Sequence, residues 1–255
     1  MSSAAEQAPV PPEPTANRIG ERGGPGPLAL VGSGEYLPSM TQMERDLLAD
    51  RPPRYVQLAT AAAPEGEDSL RRWWALGARQ AERLGVEQVV IDVRDRTDAD
   101  SAELAAKVSG AGLIYLSGGN PRHLADTLRD TAVWAAVVAS WRAGAALAGC
   151  SAGAMAMSGW VPNLRHPRAE PGTGLGLLPH LGVIPHFDKM GRWMPDSVAT
   201  AVLRPVQGLT LLGIDEQTAL VGGPHSWTVH GIAAVWEIGH GKRQPHPAGA
   251  VLVTP

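Results

Sequence analysis

Leu147-Ala148-Gly149-Cys150-Ser151-Ala152-Gly153-Ala154 decides how the rest of the chain is read. A short apolar run, Ala145 to Ala148, enters a Gly-x-Ser-x-Gly pattern and leaves through Ala154-Met155-Ala156-Met157, a composition suited to a helix start. Strand, sharp turn and helix in that order make a nucleophile elbow. There the serine takes a strained backbone conformation, and the flanking glycines remove side chains that would collide across the turn. Ser151 is then held out at a strand's carboxyl end, with the Ala152 N–H beside it as a first donor to an oxyanion. The same pattern arises by chance in a chain rich in Gly and Ala, where it is a plain strand-to-helix turn. Its place late in an alternating α/β pattern, with a histidine downstream, favours the elbow.

Upstream of the elbow, apolar strands are expected at Leu28 to Val31, Tyr55 to Ala59, Val86 to Val93 and Leu113 to Leu116. Helices are expected from Thr41, with Glu44 as its capping-box partner, from about Glu67 to Leu84, from about Ala99 to Val108, and over 121–128 and 132–142. Gly32-Ser33-Gly34 lacks a third glycine or a Lys-Ser/Thr pair and reads as a tight turn, not a phosphate loop. Strand and helix alternate, which predicts a largely parallel central sheet covered by helices on both faces, a three-layer α/β/α arrangement. Beyond the elbow, 160–176 reads as an exposed loop. Short strands at 210–214, 218–221, 227–229, 235–238 and 251–253 are expected to extend the sheet in antiparallel fashion.

Residues 1–26, rich in Pro, Ala, Glu and Gly, are expected to be a disordered tail, and 27–255 a single α/β domain. A net charge of -3 gives no general attraction to nucleic acid or an anionic membrane, and no apolar stretch reaches the length of a membrane span. One cysteine excludes an internal disulfide framework and a Cys-based zinc site. A cytoplasmic location, no cofactor and no metal are the expectations.

A serine hydroxyl is a weak nucleophile until a base takes its proton. Of eight histidines, His186 is the candidate, because Val183-Ile184-Pro185 place it at the end of an apolar strand, where open α/β sheets build their sites. A carboxylate should accept from the other imidazole nitrogen. Glu170 is the one acidic residue between Ser151 and His186 and is favoured; Asp188, two residues past the histidine, would face the other way if the strand continued. A second oxyanion donor is expected from Gly118 or Gly119, in a turn where Asn120 could also simply cap the next helix.

Leu116-Ser117-Gly118-Gly119-Asn120, the elbow, Gly174-Leu175-Gly176-Leu177-Leu178-Pro179, Pro185-His186-Phe187 and Gly213-Ile214-Asp215-Glu216-Gln217-Thr218-Ala219-Leu220 together resemble the serine peptidases typified by peptidase E (aspartyl dipeptidase) and cyanophycinase. The resemblance implies a class I glutamine amidotransferase-like fold with serine as nucleophile, histidine as base, and an Asp or Glu from the loop between them, for which Glu170 is the match. It implies a serine hydrolase that cleaves small, Asp-type peptides through an acyl-enzyme. Cyanophycinases have Gln after the Gly-Gly and several arginines after His-Phe. This chain has Asn120, and Arg192 as the one arginine left to pair with a substrate carboxylate, so a small peptide is expected in preference to cyanophycin.

Two rival readings fit the same residues. One is an amidotransferase-type enzyme attacking through Cys150, whose thiolate would be the stronger nucleophile. Register opposes it, since Ser151 holds the centre of the turn and Cys150 should point into the sheet. The other is a non-catalytic binding domain that keeps the fold.

Overall fold

A strand buried on both faces must be apolar at every position, and Leu28-Ala29-Leu30-Val31 and Leu113-Ile114-Tyr115-Leu116 meet that demand. In the computed structural model, which describes residues 24–162, 170–190, 208–239 and 242–255, they lie in the central sheet. Its parallel part consists of β1 (Leu28–Val31), β2 (Arg54–Leu58), β3 (Glu87–Val90), β4 (Leu113–Leu116) and β5 (Ala146–Cys150), in the order β1-β5-β4-β2-β3. The segments between them carry α1 (Thr41–Leu48), α2 (Glu67–Leu84), α3 (Arg96–Ala99), α4 (Ala102–Ala106), α5 (Pro121–Leu128) and α6 (Ala132–Arg142). The helix expected over 99–108 starts afresh after Ser101, whose Oγ accepts from the Leu104 N–H at 3.3 Å.

Strand side chains alternate between faces, and the two cores follow that period. Leu28, Leu30, Ile114, Leu116 and Leu147 pack with Leu124 and Leu128 of α5 and Val133 and Val137 of α6. Ala29, Val31, Tyr55, Tyr115 and Ala148 pack on the opposite side with Met43 and Leu47 of α1 and Ala81 of α2. Ordered packing begins before the expected boundary at residue 27. The Gly26 N–H donates to the Trp141 carbonyl, and Trp141 Nε1–H donates back to the Gly26 carbonyl, each at 2.8 Å.

After β5 come α7 (Ala152–Met157), β6 (Ser158–Val161), β7 (Gly172–Thr173), β8 (Leu178–Ile184), α8 (Phe187–Met190), β9 (Thr210–Ile214), β10 (Thr218–Gly222), β11 (Ser226–Gly231), β12 (Ala234–Gly239), β13 (Lys242–Pro247) and β14 (Val251–Val253). As expected from the sequence, C-terminal strands extend the parallel sheet in antiparallel fashion, through β10, β11 and β14. The others do not join it. β9 and β12 belong to a second sheet, ordered β13-β12-β9-β8-β6-β7, in which β8 runs parallel to both β6 and β9. Leu178, Leu181, Val183, Leu212, Ile214 and Val235 of this second sheet share the core that holds α5 and α6. Apolar periodicity states which face of a strand is buried, not which neighbour it pairs with, so one sheet and two sheets look alike in sequence.

Glu44 departs from its expected role. Met40 stands at the N-cap of α1 without a side-chain bond, and Glu44 turns inward, fully buried, to accept from Gln80 Nε2 at 2.9 Å. Burial, opposed by the Gln80 bond, raises its carboxyl from 4.5 to about 7. Because the folded group holds its proton to higher pH than the unfolded one, the stability it contributes is full below about 4.5 and lost as pH rises through about 7, a swing of about 3 kcal/mol. Glu44→Gln keeps an acceptor for Gln80 and has no proton to lose. Thermal unfolding between pH 4.5 and 8 should therefore fall less steeply in the variant, which should be the more stable protein at pH 8; parallel curves would contradict the assignment.

Candidate active site

β5 ends at Cys150, and the backbone turns at Ser151 with φ 49° and ψ −105°, a left-handed conformation that residues other than glycine adopt at a cost. Three contacts hold the turn. The Ser151 N–H donates to the Val31 carbonyl at 2.9 Å, the Met155 N–H donates to the Ser151 carbonyl at 3.0 Å, and the two elbow glycines pack against each other. A Cβ on Gly149 would lie 2.5 Å from the Gly153 carbonyl carbon, and one on Gly153 would lie 2.2 Å from the Leu116 oxygen of the neighbouring strand. The two glycines of the pattern are thus required by contact between α7, β5 and β4.

His186 and Glu216 come from the second sheet. β8 and β9 run side by side with Ile184 opposite Gly213, and each delivers its site residue two positions beyond its end. His186 Nε2 lies 3.1 Å from Ser151 Oγ, and His186 Nδ1 lies 2.9 Å from Glu216 Oε1. The carboxylate can only accept, so Nδ1 carries the proton and Nε2 is free to accept from the serine hydroxyl. Glu216 is gripped from both sides. Lys189 Nζ sits 2.6 Å from Oε2, and the Glu216 N–H donates to Asp188 Oδ1 at 3.0 Å. The Lys189 bond, followed by the His186 bond, holds the Glu216 carboxyl below the usual carboxylate range, so it stays ionised. Phe187 anchors the same segment, its ring lying where a Cβ on Gly213 would be 2.4 Å from Cγ, and it packs with Trp236 at 5.9 Å between ring centroids.

The carboxylate on His186 is thus Glu216, which corrects the expectation for Glu170. Glu170 is exposed on the approach to β7, and the partner of His186 lies after the histidine in sequence, not between it and Ser151. The signal was present: Asp215-Glu216 follows an apolar strand, as His186 does. Of these two acids, Asp215 is buried and accepts from Trp236 Nε1–H at 3.0 Å, which leaves Glu216 to face the imidazole. Asp188, the other candidate, braces the Glu216 backbone.

Gly118 lies beside the serine, a Cβ on it falling 3.7 Å from Ser151 Cβ and 3.5 Å from the Trp73 ring, while a Cβ on Gly119 would meet the Ala61 carbonyl at 2.4 Å. The Gly118 N–H is engaged, donating to Glu35 Oε1 at 3.1 Å. Ser117 N–H donates to the Leu58 carbonyl and Asn120 N–H to the Ala61 carbonyl. Asn120 Oδ1 accepts from the Arg122 and His123 N–H groups at 3.1 and 3.0 Å and so caps α5, while Pro121 fills the first helical position. Ala152 opens α7. Arg192 lies outside the described residues. Cys150 is fully buried, and its thiol donates to Glu35 Oε2 at 2.7 Å; burial, then the Glu35 charge, pushes that thiol up, away from the thiolate a nucleophile needs. Among the described residues no group of three or more His, Cys, Asp or Glu is placed to hold a metal ion, and no helix is long and apolar enough to cross a membrane.

The model of Peptidase family S51 matches residues 28–227. The chain belongs to this family. Among solved structures, a peptidase from an acI-B1 Actinobacterium superposes with a TM-score of 0.82 at 42% identity, covering 91% of this chain and 98% of that one. A protein assigned to peptidase E from Listeria monocytogenes EGD-e shares the fold, with a TM-score of 0.59 at 18% identity over 82% of this chain and all of that one. Cyanophycinase from Trichormus variabilis is 33% identical over 160 residues, 57% of this chain, and that from Synechococcus elongatus is 32% identical over 120 residues, 43% of it. The chain spans 51% and 37% of the lengths of these two relatives.

The glycine contacts make a direct test of the S51 elbow. Gly153→Ala puts a methyl on the Leu116 carbonyl and should lower stability by about 1–3 kcal/mol or more, measured by denaturant unfolding. An unchanged midpoint would mean that α7 does not sit against β4 as described.

Proposed function

We propose that the protein is a serine peptidase acting on small peptides, with Ser151 as nucleophile, His186 as general base and acid, and Glu216 as the carboxylate that orients the imidazole. The observation that carries this reading is the unbroken line from Ser151 Oγ through both imidazole nitrogens to Glu216, at 3.1 and 2.9 Å. In the first step Ser151 Oγ attacks the peptide carbonyl carbon while its proton passes to His186 Nε2. The oxyanion receives the N–H groups of Ala152 and Gly119, the latter favoured because the Gly118 N–H is already given to Glu35. The C–N bond then breaks, the imidazolium protonates the leaving amine, and an acyl-serine remains. Water attacks the ester with His186 again taking the proton, which releases the acid and restores the serine. Throughout, ionised Glu216 stabilises the charged imidazole, and Lys189 keeps it ionised.

The buried, proton-holding thiol of Cys150 argues against the amidotransferase-type alternative. Asp-type dipeptides are the proposed substrates, with Asn120 and Arg192 as candidate contacts. Family resemblance and the relatives named cyanophycinase justify including β-aspartyl dipeptides and cyanophycin in the same panel.

Wild-type protein should be phosphonylated by a fluorophosphonate on Ser151, and Ser151→Ala should not, while Cys150→Ala should still label. Labelling lost only in the cysteine variant would overturn the nucleophile. Against whichever dipeptide is cleaved, Glu216→Gln should lower kcat by ~10³–10⁴-fold, as loss of the orienting carboxylate does in a triad. Glu170→Gln should leave kcat unchanged; the reverse pattern would return the role to Glu170.

A further inference from the structure

Glu35 has no part in the line of proton transfer, yet its carboxylate bonds both the loop beside the serine and the residue just before it. It lies in the turn after β1, which is tied to the rest of the carboxyl edge by backbone bonds: Gly32 N–H to the Thr218 carbonyl at 2.9 Å, and Gln217 N–H, next to Glu216, to the Ser33 carbonyl at 3.0 Å. The following residue, Tyr36, is buried with φ 67°, and its hydroxyl is 2.6 Å from Ser117 Oγ and accepts from Gln57 Nε2 at 2.8 Å. The turn cannot drift, and the Glu35 side chain is aimed from a fixed base.

Its two oxygens take different partners. Oε1 accepts from the Gly118 N–H, in the loop beside the serine, and Oε2 accepts from Cys150 Sγ–H, in the residue just before the serine. A Cβ on Gly118 would lie 2.8 Å from Oε1, so a side chain there would push the Glu35 carboxylate aside. Of the four successive N–H groups from 117 to 120, three therefore have partners: Leu58, Glu35 and Ala61. The Gly119 N–H has no hydrogen-bond partner among the described residues.

We propose that Glu35 is a positioning residue for the oxyanion site: by taking the Gly118 N–H and the Cys150 thiol at once, it fixes the Gly118-Gly119 peptide relative to Ser151, so that Gly119 and not Gly118 donates to the transition state. The inference rests on the serine peptidase reading above. A loop freed from Glu35 has an unpaired Gly118 N–H that can rotate toward the serine and displace Gly119, which weakens stabilisation of the transition state more than binding of the ground state.

The test compares wild type, Glu35→Gln, Glu35→Ala, Cys150→Ala and Cys150→Ser, each with its thermal midpoint, its rate of phosphonylation at Ser151, and kcat and KM on a cleaved dipeptide. Glu35→Ala should lose ~10–100-fold in kcat and in phosphonylation rate with KM within about threefold, the signature of a lost transition-state contact. Glu35→Gln still offers an oxygen to Gly118 but meets the thiol with an amide N–H, so its loss in kcat should not exceed the about three- to tenfold expected when the thiol end is cut. At the other end of the strap, Cys150→Ala should lose about three- to tenfold in kcat, and Cys150→Ser, whose hydroxyl can donate to Oε2, should recover it. This second pair decides the matter if Glu35→Ala does not fold. A folded Glu35→Ala with wild-type kcat, a Glu35→Gln as impaired as the alanine variant, or equal kcat in the two Cys150 variants would each overturn the proposal while leaving labelled wild-type Ser151 intact. Absence of labelling in the wild type would instead overturn the serine peptidase reading itself.

Discussion

Ser151 can rest at φ 49° and ψ −105° only where its surroundings hold it there, since such a conformation costs on the order of 1–3 kcal/mol in a non-glycine residue. The restraint is built from the sheet. β1 and β4 flank β5, the Val31 carbonyl takes the Ser151 N–H, and the Leu116 carbonyl leaves room at position 153 for a hydrogen and nothing larger. Strand pairing thus aims the hydroxyl. Nothing about the serine is chosen locally except the glycines that let the three elements meet.

The second half of the site depends on a seam between two sheets. The chain leaves the second sheet at Ile214, passes Asp215, Glu216 and Gln217, and enters the central sheet at Thr218. Glu216 is presented at that crossing, beside the end of β8 where His186, itself at φ 50°, turns back toward Ser151. Phe187 against Gly213, and Trp236 donating to Asp215, fasten both sides of the seam. The imidazole joins a serine of one sheet to a carboxylate at the edge of the other, so the relative placement of the two sheets is also the placement of base and nucleophile.

Much of this was legible in sequence because its causes are local. The elbow announces itself through two glycines whose contacts forbid a side chain, and β1 and β4 through runs of four apolar residues that only a doubly covered sheet can bury. Asn120 and Pro121 mark the start of α5 by the bonds that a helix end lacks. Division into two sheets was not legible, because Leu212 and Leu220 are equally apolar and nothing in either run says which neighbour it pairs with. That hidden seam is also why Glu216 escaped notice: its approach to His186 is a consequence of β8 lying beside β9, not of separation along the chain. Glu44 and Glu35 were hidden for a related reason. A carboxylate near a helix start or in a glycine turn ordinarily faces water, and only the packed structure turns these two toward Gln80, Gly118 and Cys150.

The seam and the elbow meet at one atom, the hydroxyl oxygen of residue 151. A crystal structure of the protein after reaction with a fluorophosphonate reads that meeting directly. Expected is phosphorus bonded to Ser151 Oγ, its phosphoryl oxygen within hydrogen-bonding distance of the Gly119 and Ala152 N–H groups, and His186 still joined to Glu216. Phosphorus on Cys150, or an adduct on Ser151 with His186 turned away from Glu216, would contradict the account.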